Sequence, residues 1–408
     1  MSISRREFVG LVSATAAAGV ADRSLAQSMT TPTPDDPLGV RNDFPVTRDL
    51  LYFNSPYIAA SPTPVIDATT SFLRAKGTDP LTLGPMLRET RAVREKFARL
   101  VNADPGEIGL LSTTSEAENI VTAALNLQPG DNVVIDDLHF DTSVVLYNHL
   151  RAKNGIDVRV VKNVGGAVAH EAFAAVVDDK TRLVSVSWIS HQNGFRHDLK
   201  ALASLAHAHS AYLFVDAIQG VGTLELDAKD CDVDFFATGT YKWLLGGFGV
   251  APFFVKEALL EEIEPDRRGW RQIKGESDNH EFEFYDDARK YGYATPAFAA
   301  VYQLSAALDY LERIGVDAIE RHTVMLAQRL QRGLTEQGFN VLTPANNRSS
   351  IVAFEHGTDY ASAQKQLDNA NVRLSFREDN TQIRVGAALF NNVADVDRLL
   401  ELTGTWQN

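Results

Sequence analysis

Short apolar runs alternate with amphipathic stretches through the middle of the chain. The runs occupy residues 108–112, 132–136, 157–161, 183–188, 212–216, 235–238 and 250–255, each four to six residues long and rich in Val, Ile, Leu and Phe. That length and composition predict strands buried on both faces. Between them, residues 117–127, 143–153 and 199–210 repeat apolar positions at helical spacing. Strands alternating with helices predict an α/β fold, a mostly parallel sheet covered by helices on both sides. From about Pro296 the pattern changes to two long helical segments, 297–314 and 316–337, followed by mixed strands and helices. Residues 46–295 are therefore expected to form a large domain that includes the N-terminal segment, and residues 296–408 a smaller α+β domain.

The N-terminal residues read differently. Ser4-Arg5-Arg6-Glu7-Phe8 precedes a weakly apolar run, residues 9–21, and Ser24-Leu25-Ala26 offers small residues for cleavage. The order resembles a twin-arginine export signal over residues 1–26, which implies delivery of a folded protein to the periplasm. The run is too short and too rich in Ala, Gly and Ser to span a bilayer. Residues 27–45, with their Thr, Pro and Asp, are expected to be a linker, with folded structure beginning near Leu51.

Composition narrows the function. Hydrophobic residues make up 45% and charged residues 23%, a globular balance that excludes a disordered or fibrous chain. Asp plus Glu number 53 against 39 Lys plus Arg, a net charge of −14 that opposes nucleic acid and anionic membranes as partners. The single cysteine, Cys231, permits no internal disulfide and no thiolate cluster, and no metal site is expected.

In such sheets ligands gather at the carboxyl ends of strands. Tyr212-Leu213-Phe214-Val215-Asp216 puts a carboxylate at that rim. Alone it reads as a nucleotide-site aspartate, a ribose contact or a turn cap. Neither G-x-x-x-x-G-K-[ST] nor a dinucleotide G-x-G-x-x-G is present, which weakens the first two readings. Downstream lie Gln219, then Asp234-Phe235-Phe236-Ala237-Thr238, then Gly239-Thr240-Tyr241-Lys242-Trp243-Leu244-Leu245-Gly246. Apolar neighbours on Lys242 predict a partly desolvated amine with a lowered pKa.

This combination resembles the class-V aminotransferase family of pyridoxal-phosphate enzymes, in its isopenicillin N epimerase-like and kynureninase-like branch. The family pattern is an Asp-x-x-Gln strand end, a short hairpin holding Cys231 here, and then the cofactor lysine. The resemblance implies a type I transferase fold with pyridoxal 5'-phosphate carried by Lys242, which is also the base at the substrate Cα. Asp216 would keep the pyridine nitrogen protonated, and Gln219, with His191 of Ser190-His191-Gln192-Asn193-Gly194, would reach the phenolic oxygen.

Ser112-Thr113-Thr114-Ser115-Glu116 sets hydroxyls at a strand-to-helix junction, where free N–H groups favour an anion. Thr113 and Glu116 also form a capping-box pattern, and the two readings are compatible. By resemblance Thr114, Ser115 and Tyr241 face the phosphate. Thr295 would reach the phosphate of a partner subunit, making a homodimer with shared sites. Phe140 takes the ring-stacking position where desulfurases have His, and Arg384 would grip the substrate α-carboxylate. Tyr57 and Trp270 serve equally as substrate contacts or as packing.

The resemblance runs from residues 51–54 to a C-terminal helix at 394–402. Residues 367–377 lack the mobile cysteine of a desulfurase, which disfavours persulfide chemistry. Epimerisation, transamination and β-elimination on an amino acid or amino-bearing peptide all stay open. The competing class is an exported solute-binding protein, which has no reason to gather Asp216, Lys242 and Arg384.

Overall fold

The computed structural model describes residues 30–277 and 279–406; the expected export signal lies outside them. Among these residues seven strands form the larger sheet. Their spatial order is Ile108–Leu111, Ala251–Val255, Phe235–Ala237, Tyr212–Asp216, Thr181–Ser187, Asn132–Asp136 and Asp157–Val161. Ala251–Val255 runs antiparallel to both its neighbours, and every other pairing is parallel. The mostly parallel α/β plan is the observed one.

Side-chain alternation explains why the strands read as continuous apolar runs. Leu213 and Val215 join one apolar cluster with Val184, Val186 and Phe236, whereas Phe214 joins another with Leu183, Phe235 and Phe253. A strand buried on both faces keeps no polar side. Truncating any one of these buried phenylalanines to alanine would cost about 3–5 kcal/mol.

Three sequence expectations are corrected. The segment between Asp216 and Lys242 is not a hairpin. Tyr212–Asp216 and Phe235–Ala237 are parallel, and parallel neighbours need a crossover, which passes through the short helix Ala228–Cys231. Half-buried Cys231 ends that helix, its thiol pushed above the ordinary range by burial.

Second, the expected linker is folded before its end. Val40 and Phe44 are buried, Phe44 lies 4.7 Å from the Phe390 ring, and Arg41 grips Asp395 through two bonds of 2.7 and 3.0 Å. Two apolar anchors inside a Pro- and Asp-rich stretch are enough to order it.

Third, the first strand belongs with the C-terminal residues. Leu51–Tyr52 pairs in parallel with Val372–Arg373, and Phe53 carbonyl accepts the Gly386 N–H at 2.8 Å. The C-terminal sheet is antiparallel, in the order Asn340–Val341, Ile351–Glu355, Gln382–Gly386, Ser375–Arg377. Helix Phe298–Ile314, expected in the smaller domain, docks on the larger one: Tyr302 stacks on Phe72 at 4.7 Å, and Lys96 reaches Ser305 Oγ at 2.8 Å and Asp309 at 2.6 Å. Strand Gln382–Gly386 meets the carboxyl rim of the large sheet through Arg384, whose Nη1 donates to His191 carbonyl at 2.6 Å.

Candidate active site

Lys242 sits in a tightly tied turn after strand Phe235–Ala237. Thr240 Oγ1 donates to Gly247 and Val250 carbonyls at 2.6 and 3.1 Å, and Ala59 N–H caps Tyr241 carbonyl at 3.1 Å. Leu245 closes the turn at φ +60, its N–H on Lys242 carbonyl at 2.8 Å. Trp243, Leu244 and Leu245 are buried around it. Lys242 is only 8% exposed. Burial lowers its pKa to about 8; Asp216 works against that, and Arg384 and Arg377 add to it. The amine is thus a buried base of nearly neutral strength.

Asp216 ends strand Tyr212–Asp216, one strand away from the lysine turn. Its Oδ1 accepts Ile218 N–H at 3.0 Å, and burial raises its pKa against the pull of His139 and Lys242. Gln219 is held on both sides, donating to Pro56 carbonyl at 2.9 Å and accepting Trp243 Nε1–H at 3.0 Å. An amide nitrogen carries two hydrogens, so one N–H stays available to the cavity that Gln219 lines. His191 is buried, with Nδ1 unpartnered, and burial with Arg377 and Arg384 nearby lowers its pKa to about 3. It is a neutral imidazole. Phe140 meets it edge-on at 5.1 Å.

At the other end, helix Thr114–Ala124 begins with Thr113 as its cap, Oγ1 accepting Glu116 N–H at 3.1 Å. The capping box is shifted: the Glu116 carboxylate accepts Ser112 N–H at 2.8 Å, not that of Thr113. Thr114 Oγ1 is buried without a partner. Ser112, Thr113 and Thr114 line one cavity of about 320 Å³ with Ser115, Phe140, His191, Asp216, Gln219, Tyr241 and Lys242. Tyr241 stacks on Phe248 at 4.4 Å, its pKa raised by burial and then by Asp216.

Other expected residues lie apart. Thr295 and Trp270 line a neighbouring cavity of about 570 Å³, which shares Ser112, Gly249 and Val250 with the first. Tyr57 is 61% exposed. Arg384 is buried in the C-terminal sheet, Nε unpartnered and Nη2 3.4 Å from Ser375 Oγ; burial, then Arg377, lowers its pKa to about 9.

The sequence reading missed two groups. Glu118, on the cavity wall, accepts hydroxyls from Ser143 at 2.7 Å, Tyr147 at 2.8 Å and Ser185 at 2.8 Å, and Ser185 Oγ also meets His139 Nε2 at 2.9 Å. Only the fold assembles these donors, two from the helix Asp141–Asn154 and one from the strand Thr181–Ser187, around Glu118. Arg377, on strand Ser375–Arg377, is the second, and nothing in its neighbourhood along the chain marks it.

A model of the aminotransferase class-V family matches residues 51–399. A probable cysteine desulfurase of Methanothermobacter thermautotrophicus is 33% identical over 337 residues, covering 81% of this chain and 84% of that one. The solved cysteine desulfurase of Thermococcus onnurineus NA1 shares the fold, with TM-score 0.82, 22% identity, and coverage of 92% and 99%. So does a cystine C–S lyase solved with its product cysteine persulfide, at TM-score 0.82 and 23% identity, covering 88% and 99%. The chain belongs to the class-V aminotransferase family. It is an enzyme dependent on pyridoxal phosphate, and the solute-binding alternative has no support.

The residues present fit that cofactor. An amine suits its aldehyde, a buried carboxylate its ring nitrogen, and unpaired Thr114 Oγ1 at a helix N-terminus its phosphate.

Proposed function

We propose that Lys242 carries the cofactor and takes the Cα proton from an α-amino acid or amino-bearing peptide, with no protein thiol in the reaction. One observation carries this: the buried amine, the buried carboxylate and the open helix N-terminus line a single cavity. When bound, pyridoxal phosphate supplies an electron sink for charge developing at Cα.

The chain's own residues do the rest. Asp216 holds the ring nitrogen protonated, and Thr114 and Ser115 with their helix N-terminus hold the phosphate. Gln219 turns its spare N–H to the phenolic oxygen. Phe140 provides an apolar wall for the ring, and neutral His191 donates or accepts without adding charge. Arg384 orients the substrate by its α-carboxylate. Lys242, whose burial favours the neutral amine, takes the Cα proton as general base.

The absence of cysteine from residues 367–377, together with Phe140, supports placing the chain with the epimerase-like and kynureninase-like branch. Its relatives named cysteine desulfurase would then differ from it in reaction. Thr295, outside its own chain's cofactor cavity, supports a homodimer in which it serves the partner's phosphate. The Ser4-Arg5-Arg6-Glu7-Phe8 pattern supports twin-arginine export to the periplasm.

The test is Cα exchange. Amino acids incubated with holoenzyme in deuterium oxide should gain deuterium at Cα, read by NMR, and Lys242→Ala holoprotein should give none. Exchange that persists without Lys242 would overturn the assignment. Chiral analysis of the recovered substrate, and assay of released pyruvate or alanine, distinguish the reactions open to the substrate once the proton has left.

A further inference from the structure

We propose that Arg377 is a second anion-binding group in this site and that the substrate is an amino acid bearing a second carboxylate on its side chain. This rests on the reading that Arg384 takes the α-carboxylate.

The geometry comes from the antiparallel pair of strands Ser375–Arg377 and Gln382–Gly386. Ser375 lies opposite Arg384, and Arg377 opposite Gln382. Side chains two residues apart share a face, so Ser375, Arg377 and Arg384 project to the same side. Ser375 Oγ lies 3.4 Å from Arg384 Nη2, and Arg384 Nη1 bonds His191 carbonyl, which identifies that side as the one facing the site. Arg377 is the diagonal neighbour of Arg384, a position roughly 7–8 Å away and within reach of long side chains. Arg377 therefore stands beside Arg384 on the same face of the C-terminal sheet.

Charge then decides the ligand. The guanidinium of half-buried Arg377 makes no hydrogen bond or ion pair among the described residues, although exposed Glu378 and Asp379 come directly after it. Asp216 is committed to the ring nitrogen, and Glu118 already accepts three hydroxyls. An α-carboxylate on Arg384 neutralises one guanidinium and leaves the other without a counter-charge. A half-buried guanidinium next to a second one is stabilised by an anion that reaches both, and a guanidinium suits a carboxylate through paired N–H donors. A side-chain carboxylate of the substrate supplies it.

The experiment uses holoenzyme reduced with borohydride, so that the cofactor is fixed and no turnover occurs. Glutarate and pentanoate, five-carbon acids with two carboxylates and one, are titrated by calorimetry. Wild-type protein should bind glutarate at least about tenfold more tightly, the worth of one charged hydrogen-bonded pair. Arg377→Gln should abolish that preference and leave pentanoate affinity unchanged, Arg377→Lys should keep part of it, and Arg384→Gln should weaken both acids. Equal affinity for the two acids in wild type would overturn the proposal, as would equal weakening of both by Arg377→Gln. A protein that fixes no cofactor, or binds neither acid, would instead overturn the reading of Lys242 and Arg384 on which it rests.

Discussion

Replacing Lys242 by methionine should stabilise the cofactor-free protein at pH 7, by an amount that fades as pH rises. The amine has a pKa of about 8 in the fold, against 10.5 for an ordinary lysine. That difference corresponds to about 3 kcal/mol against folding while the group stays charged. Proton counting gives the sign: between pH 8 and 10.5 the unfolded chain binds the proton that the folded chain has lost, so wild-type stability rises with pH through that window. Methionine has similar length and no charge, and removes the penalty at every pH. Scanning calorimetry of the apoproteins should therefore show Lys242→Met melting about 4 °C higher than wild type at pH 7, with more than half of the gap closed at about pH 9.5. An equal or lower melting point at pH 7, or a gap independent of pH, would refute the burial argument. The same burial matters for function. At pH 7 about a tenth of such an amine is neutral, roughly 300-fold more than for an ordinary lysine, and only the neutral form attacks an aldehyde.

Three further outcomes are expected. Thr114→Val should leave apoprotein stability nearly unchanged, because its hydroxyl has no partner to lose, while weakening pyridoxal-phosphate binding by about tenfold to a hundredfold in equilibrium titration. Asp216→Asn should fold normally, since its amide oxygen can still accept Ile218 N–H, yet lose roughly 100- to 1000-fold in kcat; unchanged turnover would count against its role. Gly222 adopts φ +99, and a Cβ there would lie 2.4 Å from Trp243 carbonyl, so Gly222→Ala should cost more than about 2 kcal/mol in thermal melts and loosen the lysine turn, lowering cofactor affinity with it.

The strands of the large sheet are legible in the sequence because burial on both faces leaves an unbroken apolar run, and each run ends within a residue or two of its strand. Lys242 is legible because Trp243, Leu244 and Leu245 announce a desolvated turn. Other features have no local signal. Phe44 reads as one apolar residue in a polar stretch, and only Phe390 and Tyr310, far along the chain, make it an anchor. The Ala228–Cys231 crossover reads as a hairpin because sequence proximity says nothing about strand direction. Glu118 looks like any polar position on an amphipathic helix until Ser143, Tyr147 and Ser185 converge on it. Arg377 looks like an ordinary surface charge on a strand, and its meaning comes from Arg384 on the strand beside it.

The most direct measurement is the site of covalent attachment. Holoenzyme reduced with borohydride, digested and sequenced by mass spectrometry should carry the pyridoxyl mass on the peptide containing Lys242, with a visible absorption band that reduction removes. A label on any other lysine, or a protein that takes up pyridoxal phosphate without reducible attachment, would contradict the account.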